Sequence, residues 1–142
     1  MSETRTGQCF CGAVEVRVTG QPSVVGYCHC RDCTNWAGAP LQPFSLWSPE
    51  SIEVIQGEDK LAMYSKAGDS HRKFCNDCGG HVMNERPTIG MNSIYVRLEP
   101  PLDQQPSLHV YYDEKTLSIA DGLPKYKDVP EEFGGSGVTL SD

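Results

Sequence analysis

The sequence predicts a mainly β, single-domain fold built from short antiparallel strands. Three observations favour it: the chain has 142 residues, hydrophobic residues make up 38% of it, and it contains 14 glycines and 10 prolines. A chain of this length usually forms one domain, and frequent glycine and proline keep the regular elements short. We expect the domain to span residues 1–130 and residues 131–142 to form a flexible C-terminal tail.

The apolar residues repeat with a period of two, as they do in half-buried strands. In Ala13–Val18, Val14, Val16 and Val18 share one face, and charged residues occupy the other. Turn signals such as Thr19–Pro22 separate the strands, and Thr34–Pro40 is the stretch that could hold a helical turn. The remaining strands are predicted at Val24–Tyr27, Leu41–Trp47, Ser51–Ile55, Leu61–Ser65, His71–Phe74, Val82–Asn84, Ile94–Leu98 and Leu108–Tyr112.

The charge and hydropathy patterns exclude several partners. The chain has 12 Lys and Arg residues and 19 Asp and Glu residues, so its formal net charge is -7. This negative charge disfavours nucleic acid and anionic lipid as partners. No apolar run approaches the roughly 20 residues of a membrane helix, and Met1–Gly7 does not resemble a signal peptide. We therefore expect a soluble, cytoplasmic protein without a nucleic-acid or membrane partner, while its oligomeric state is not indicated.

The seven cysteines form three closely spaced groups. An odd number cannot close a full set of disulfides, and cytoplasmic thiols stay reduced. A C-x-C pair in an extended segment, or a C-x-x-C pair in a tight turn, offers two sulfurs to one metal ion. The three groups are Cys9 with Cys11, Cys28 with Cys30 and Cys33, and Cys75 with Cys78.

Two pairs make a complete set of four thiolates, Cys9, Cys11, Cys75 and Cys78, which is typical of structural zinc. The trio Cys28, Cys30 and Cys33 would then leave one position open, as catalytic zinc sites do. This partition predicts two zinc ions per chain. Two alternatives stay open: one zinc site with spare thiols, for example Cys30 and Cys33 completing a set with Cys75 and Cys78, or a redox or disulfide role.

The trio predicts thiol chemistry rather than hydrolysis. Three thiolates around Zn²⁺ carry a net negative charge, so the ion is a weaker Lewis acid than zinc held by neutral imidazoles. A sulfur ligand suits such an ion, and a bound substrate thiol would be a thiolate near neutral pH. No phosphate-binding loop, G-x-S-x-G elbow or H-E-x-x-H pair occurs in the sequence.

Two residues near the trio are candidates for proton transfer. His29 lies between two cysteines, where it could contact substrate or support the site from outside the metal ligands. Asp32 could orient the same loop. Arg31, Arg72 and Lys73 are the local cations that an anionic thiol would need. His81 and His109 are expected to be structural histidines in strands.

Five stretches carry a family resemblance: Gly7–Val14, Cys28–Cys33, Tyr64–Ser65, Arg72–Gly80 and Asp121–Tyr126. In this order they resemble the glutathione-dependent formaldehyde-activating (GFA) family, also called the CENP-V/GFA domain. The likeness extends from Gly7 to Tyr126. The combined cysteine pattern is specific, whereas the late Leu-Pro-x-Tyr stretch alone would be a weak signal. Histidine at position 81 and the lack of a tryptophan after Lys115 are departures from the family pattern.

The resemblance implies an Mss4-like fold, a structural zinc on the four-cysteine set and a catalytic-type zinc on the trio. It also implies a carbon-sulfur lyase that acts on glutathione or another small thiol, through an adduct similar to S-(hydroxymethyl)glutathione. No motif marks glutathione-binding residues. A zinc-stabilised binding module without catalytic activity is the alternative from another class, and a thiol-redox sensor is the third.

Overall fold

The computed structural model describes residues 3–141, which form two compact units. The first unit comprises Met1–Ser23 and Ser45–Asp103, and the second comprises Val24–Phe44 and Gln104–Asp142. The described chain is mainly β, which confirms the predicted fold class. The strands are β1 (Thr4–Gln8), β2 (Glu15–Thr19), β3 (Val24–Cys28), β4 (Gln42–Trp47), β5 (Ile52–Gln56), β6 (Leu61–Tyr64), β7 (His71–Cys75), β8 (His81–Arg86), β9 (Met91–Ile94) and β10 (Leu108–Val110).

The first unit contains two groups of antiparallel strands. In one group, β2 pairs with β1 on one side and with β5 on the other. In the other group, β9, β8, β7 and β6 follow one another, and Ser45–Trp47 of β4 pairs with β9. The helical turns Pro49–Ser51 and Glu58–Lys60 precede β5 and β6.

The core of the first unit joins apolar side chains from both strand groups. Val14, Val16 and Val18 are fully buried, as the alternating pattern predicts, and Trp47 is buried with them. The indole Nε1 of Trp47 donates to Ser45 Oγ at 2.8 Å, so its polar atom is satisfied. Two of the cysteines, Cys9 and Cys75, belong to the same core cluster. Two of the candidate metal ligands of this unit therefore belong to its apolar core.

Two strands differ from the pattern-based expectation. Strand β1 was not predicted, since Thr4–Gln8 has few apolar residues; its pairing with β2 creates it. The predicted strand Ile94–Leu98 is instead Met91–Ile94, because the turn after Arg86 sets Met91 opposite that residue and fixes the register.

The second unit is built on a parallel pair of strands. Strands β3 and β10 pair with Leu108 opposite Gly26 and Val110 opposite Cys28. A Cβ at position 26 would lie 2.8 Å from both Leu108 Cδ1 and the Leu108 carbonyl oxygen, so the close approach of the strands requires glycine. On its other side, β10 bridges Lys125 through His109.

Helix α1 (Arg31–Ala37) follows β3 directly. Cys30 is its N-cap, since its Sγ accepts the Cys33 N–H at 3.2 Å, and Gly38 ends the helix in the left-handed conformation. The helix thus begins three residues before the predicted helical turn Thr34–Pro40, because the cysteine caps it.

The chain after β10 forms helical turns at Tyr112–Glu114 and Glu131–Phe133. Residues 131–141 make backbone hydrogen bonds with earlier residues, including Lys127 N–H to the Val138 carbonyl and Leu140 N–H to the Lys125 carbonyl. The boundary of the domain at residue 130 and the flexibility of the predicted tail stay predictions.

Candidate metal centres

Four cysteines of the first unit converge although their two pairs lie far apart in sequence. Cys9 and Cys11 lie in the turn after β1, Cys75 ends β7, and Cys78 lies in the turn before β8. All four Sγ atoms lie within 4.8 Å of one another, with 3.7 Å between Cys9 and Cys11 and 3.8 Å between Cys11 and Cys75. A zinc ion with sulfurs at about 2.3 Å in a tetrahedron places them about 3.8 Å apart. The cluster therefore fits a four-coordinate zinc ion.

Backbone amides are directed at two of these sulfurs. Val14 N–H donates to Cys9 Sγ and Gly80 N–H donates to Cys78 Sγ, both at 3.3 Å. The Gly80 amide is the main reason that the pKa of Cys78 falls to about 6. A Cβ at Gly80 would lie 3.0 Å from Phe10 N and 3.2 Å from Cys78 Sγ, so glycine is needed there. The turn favours the thiolate form that metal binding requires.

The other three cysteines form a separate cluster in the second unit. Cys28 ends β3, Cys30 caps α1 and Cys33 lies in its first turn, and their Sγ atoms lie within 4.8 Å of one another. Within residues 3–141, no histidine, carboxylate or further cysteine joins the trio at that distance. The cysteines are thus grouped as four in the first unit and three in the second.

The neighbouring sulfurs and burial favour the protonated form of Cys28 when no ion is bound. The hydrogen bond with Cys30, then that with Cys33, then burial raise the pKa of Cys28 well above its usual range. A metal ion must displace these protons when it binds. A tetrahedral ion bound by these three sulfurs alone would have its fourth position open.

A buried hydrogen-bonded chain begins at His29, between two cysteines of the trio. His29 Nε2 lies 2.8 Å from His109 Nδ1, and His109 Nε2 lies 2.7 Å from Asp121 Oδ2. The other carboxylate oxygen, Asp121 Oδ1, accepts hydrogen bonds from Lys125 Nζ and Leu123 N–H, each at 3.0 Å. Both histidines are 0% exposed. His29 Nδ1 is also buried and has no hydrogen-bond partner in the described residues.

The charge states along this chain have clear physical causes. Burial first, and then the electrostatic influence of the neighbouring His109, Lys115 and Lys125 side chains, lowers the pKa of His29 to about 4, so its neutral form predominates at pH 7. Burial would raise the pKa of Asp121, but hydrogen bonds from His109 and Lys125 outweigh it and hold this pKa below its usual range. The hydrogen-bonded series from His29 through His109 therefore ends in the ionised carboxylate of Asp121.

Tyr112 packs against both histidines. Its ring meets those of His29 and His109 edge-on, with centroids 4.9 and 5.6 Å away. Its hydroxyl accepts the Ile119 N–H at 2.8 Å, and Lys115 Nζ lies 4.7 Å from the ring centroid. The ring holds the two imidazoles in place from one side.

The remaining candidates from the sequence lie in different settings. Asp32 is exposed in the first turn of α1, and the Arg31 backbone N–H donates to the Glu114 carboxylate at 2.8 Å. Lys73 is paired with Glu85 at 2.9 Å, so its charge is already neutralised. Catalytic roles for His29 and Asp32 stay predictions.

Two members of the buried chain were not predicted as site residues. His109 was expected to be structural, and Asp121 is 12 residues further along the chain in a segment without regular structure. The only sequence signal for Asp121 and Lys125 is the Asp121–Tyr126 stretch of the family resemblance.

Comparisons with known proteins agree with these features. Residues 4–114 match the family model described as glutathione-dependent formaldehyde-activating enzyme. An uncharacterized lyase of Schizosaccharomyces pombe is 26% identical, over 84% of this chain and 93% of its own length. A crystal structure of a Rhodobacter sphaeroides protein aligns with a TM-score of 0.57 and 20% identity, over 69% of this chain and 90% of that one. Among the described residues, no helix is long and apolar enough to cross a membrane.

Proposed function

Because the chain belongs to the glutathione-dependent formaldehyde-activating enzyme family, we propose that it is a zinc-dependent carbon-sulfur lyase. Its substrate would be an adduct of a small thiol, glutathione or a similar molecule, in the manner of S-(hydroxymethyl)glutathione. The lyase name of the fission yeast relative supports the reaction class. The observation that carries the proposal is the trio Cys28, Cys30 and Cys33, which has no fourth ligand in residues 3–141.

The two cysteine clusters would hold two zinc ions with different roles. The four-cysteine cluster supplies a closed set of ligands, two of which belong to the core of its unit, and this suits a structural ion. The trio suits a catalytic-type ion. When bound there, zinc supplies a soft Lewis-acid position that holds a substrate sulfur as thiolate.

The protein's own groups would handle the proton of the adduct. In the breakdown direction, the hydroxyl proton of the hemithioacetal passes to the lone pair of His29 Nδ1. The oxygen electrons form the carbonyl, the C–S bond breaks, and its electrons leave with the sulfur as a thiolate. Formation of the adduct is the reverse. Asp32, exposed at the start of α1, would exchange the proton with solvent. Acid-base assistance of this kind accelerates reactions by about 10²–10⁴-fold.

The state of the thiols supports a cytoplasmic location. All seven cysteines are free in the described structure, and the cytoplasm keeps thiols reduced and able to bind metal.

The direct test follows adduct formation with the zinc-loaded protein, glutathione and formaldehyde by exchange NMR. We expect faster exchange than in the spontaneous reaction, and a return to the spontaneous rate for Cys30→Ser. Spontaneous exchange with the fully metallated wild type would refute the glutathione–formaldehyde reaction.

Cobalt substitution separates the enzyme from a binding module without catalytic activity. We expect the cobalt spectrum of the trio to change when a small thiol is added, because the thiol enters the open position. A cobalt spectrum that does not change when thiol is added would indicate a closed site and favour the binding module.

A further inference from the structure

The feature that the zinc chemistry does not explain is the buried chain from His29 through His109 to Asp121. These residues lie within the second unit. The hydrogen bond between the two histidines is 2.8 Å long, and that between His109 and Asp121 is 2.7 Å long. In a hydrogen bond between two neutral imidazoles, either ring can be the donor. The direction of donation must therefore be set by the group at the end of the series, which is Asp121.

Asp121 fixes that direction because an ionised carboxylate can only accept hydrogen bonds. Its Oδ2 faces His109 Nε2, so His109 Nε2 must carry a hydrogen. A neutral His109 then has a bare Nδ1, which can only accept from His29 Nε2. His29 Nδ1 is buried and has no acceptor in the described residues, so a hydrogen there would be unsatisfied, and a His29 that donates from Nε2 carries none on Nδ1.

The opposite polarity is disfavoured by the neighbouring lysine. It would require a doubly protonated His109 that donates at both nitrogens, beside an Asp121 whose charge Lys125 already balances at 3.0 Å. Lys125 is 4% exposed, so solvent screens its charge poorly. His29 Nδ1 would then carry a buried N–H without an acceptor in the described residues.

We infer that Asp121, acting through His109, holds His29 as the tautomer with its hydrogen on Nε2, so that the buried Nδ1 keeps the lone pair needed to accept the proton of a substrate hydroxyl that reaches it. The role in turnover rests on the lyase function proposed above, whereas the tautomer does not depend on it. Asp121 and His109 are positioning residues, since they act through His29.

The substitution Asp121→Asn should reverse the polarity of the chain. Lys125 Nζ and Leu123 N–H both donate to Oδ1, so the amide oxygen of asparagine should occupy that position. The amide NH₂ then faces His109 Nε2 and donates to it. His109 must carry its hydrogen on Nδ1 and donate to His29 Nε2, which moves the hydrogen of His29 to Nδ1.

The test is a two-bond ¹H–¹⁵N correlation spectrum of the zinc-loaded protein labelled with ¹⁵N-histidine. The chain has four histidines, so His71→Gln and His81→Gln suffice to separate the signals of the buried pair. We expect His29 as the Nε2–H tautomer in the wild type and as the Nδ1–H tautomer in Asp121→Asn. The control Asp113→Asn, at an exposed carboxylate in the same unit, should leave the spectrum unchanged.

Each result bears on the inference. A wild-type His29 with a hydrogen on Nδ1, alone or on both nitrogens, would overturn it even if the variant did not fold. If the tautomer reverses, we expect the catalysed exchange to fall by about 10²-fold or more with unchanged zinc content. Full activity of the reversed variant would overturn the positioning role. An inactive wild type with the expected tautomers would refute the glutathione–formaldehyde reaction and leave the tautomer assignment standing.

Discussion

The two units of the chain bury very different kinds of side chain. The first unit encloses valines, Trp47 and other apolar residues, together with two cysteines of its four-cysteine cluster. In the second unit, the largest fully buried side chains are Tyr112, His29 and His109, and Lys125 is nearly as buried. Burial of polar and ionisable groups costs free energy unless every group finds a partner. The first unit also buries Arg5 and Asn84, but its core cluster is apolar, whereas buried ionisable side chains dominate the interior of the second unit.

The cysteine clusters follow the same division. The four sulfurs of the first unit complete the ligand set of an ion, whereas the trio of the second unit does not within residues 3–141. The unpartnered nitrogen in the described second unit, His29 Nδ1, belongs to a residue flanked by two cysteines of the trio. The open sulfur trio and a buried imidazole nitrogen without a partner thus belong to neighbouring residues of the chain, which is typical of a functional site.

Replacement of a core cysteine of the first unit should have the largest effect on zinc content and folding. Cys75 is 0% exposed, and its Sγ lies 3.8 Å from that of Cys11. Structural zinc contributes about 10–16 kcal/mol in small zinc domains, which exceeds the net stability of most domains. We expect Cys75→Ser to lose one of two zinc ions and the folded structure of the first unit, as measured by elemental analysis and near-UV circular dichroism. A folded variant with two zinc ions would show that this cluster is not structural.

Loss of a cysteine from the trio should leave the fold intact. Cys30 caps α1 by accepting the Cys33 N–H, and serine is itself a good N-cap, so Cys30→Ser keeps this hydrogen bond. We expect cooperative thermal unfolding close to that of the wild type, with loss of the thiol-sensitive cobalt spectrum. If Cys30→Ser unfolds as fully as Cys75→Ser, the two clusters do not differ in role.

The sequence predicts the scaffold and the ligands better than the rest of the site. The valines at 14, 16 and 18 are buried as the period-two pattern requires, and the short spacing of each cysteine group makes its ligands neighbours. His29, His109 and Asp121 meet only because β10 pairs with β3 and then bridges Lys125. Such contacts, 80 residues apart for the two histidines, depend on tertiary structure that no local pattern encodes.

A single substitution, Tyr112→Phe, separates the stabilising contribution of ring packing in the second unit from that of a buried hydrogen bond. Tyr112→Phe keeps the ring against both histidines but removes the hydroxyl that accepts the Ile119 N–H. We expect the free energy of unfolding to fall by about 1 kcal/mol, with both zinc ions retained, as measured by urea titration and elemental analysis. Tyr64→Phe is the matched control in the first unit, since this side chain is 63% exposed, and should change stability by less than about 0.5 kcal/mol. Equal effects of the two substitutions would contradict a special role for buried polar groups in the second unit, because the same atom is removed in both.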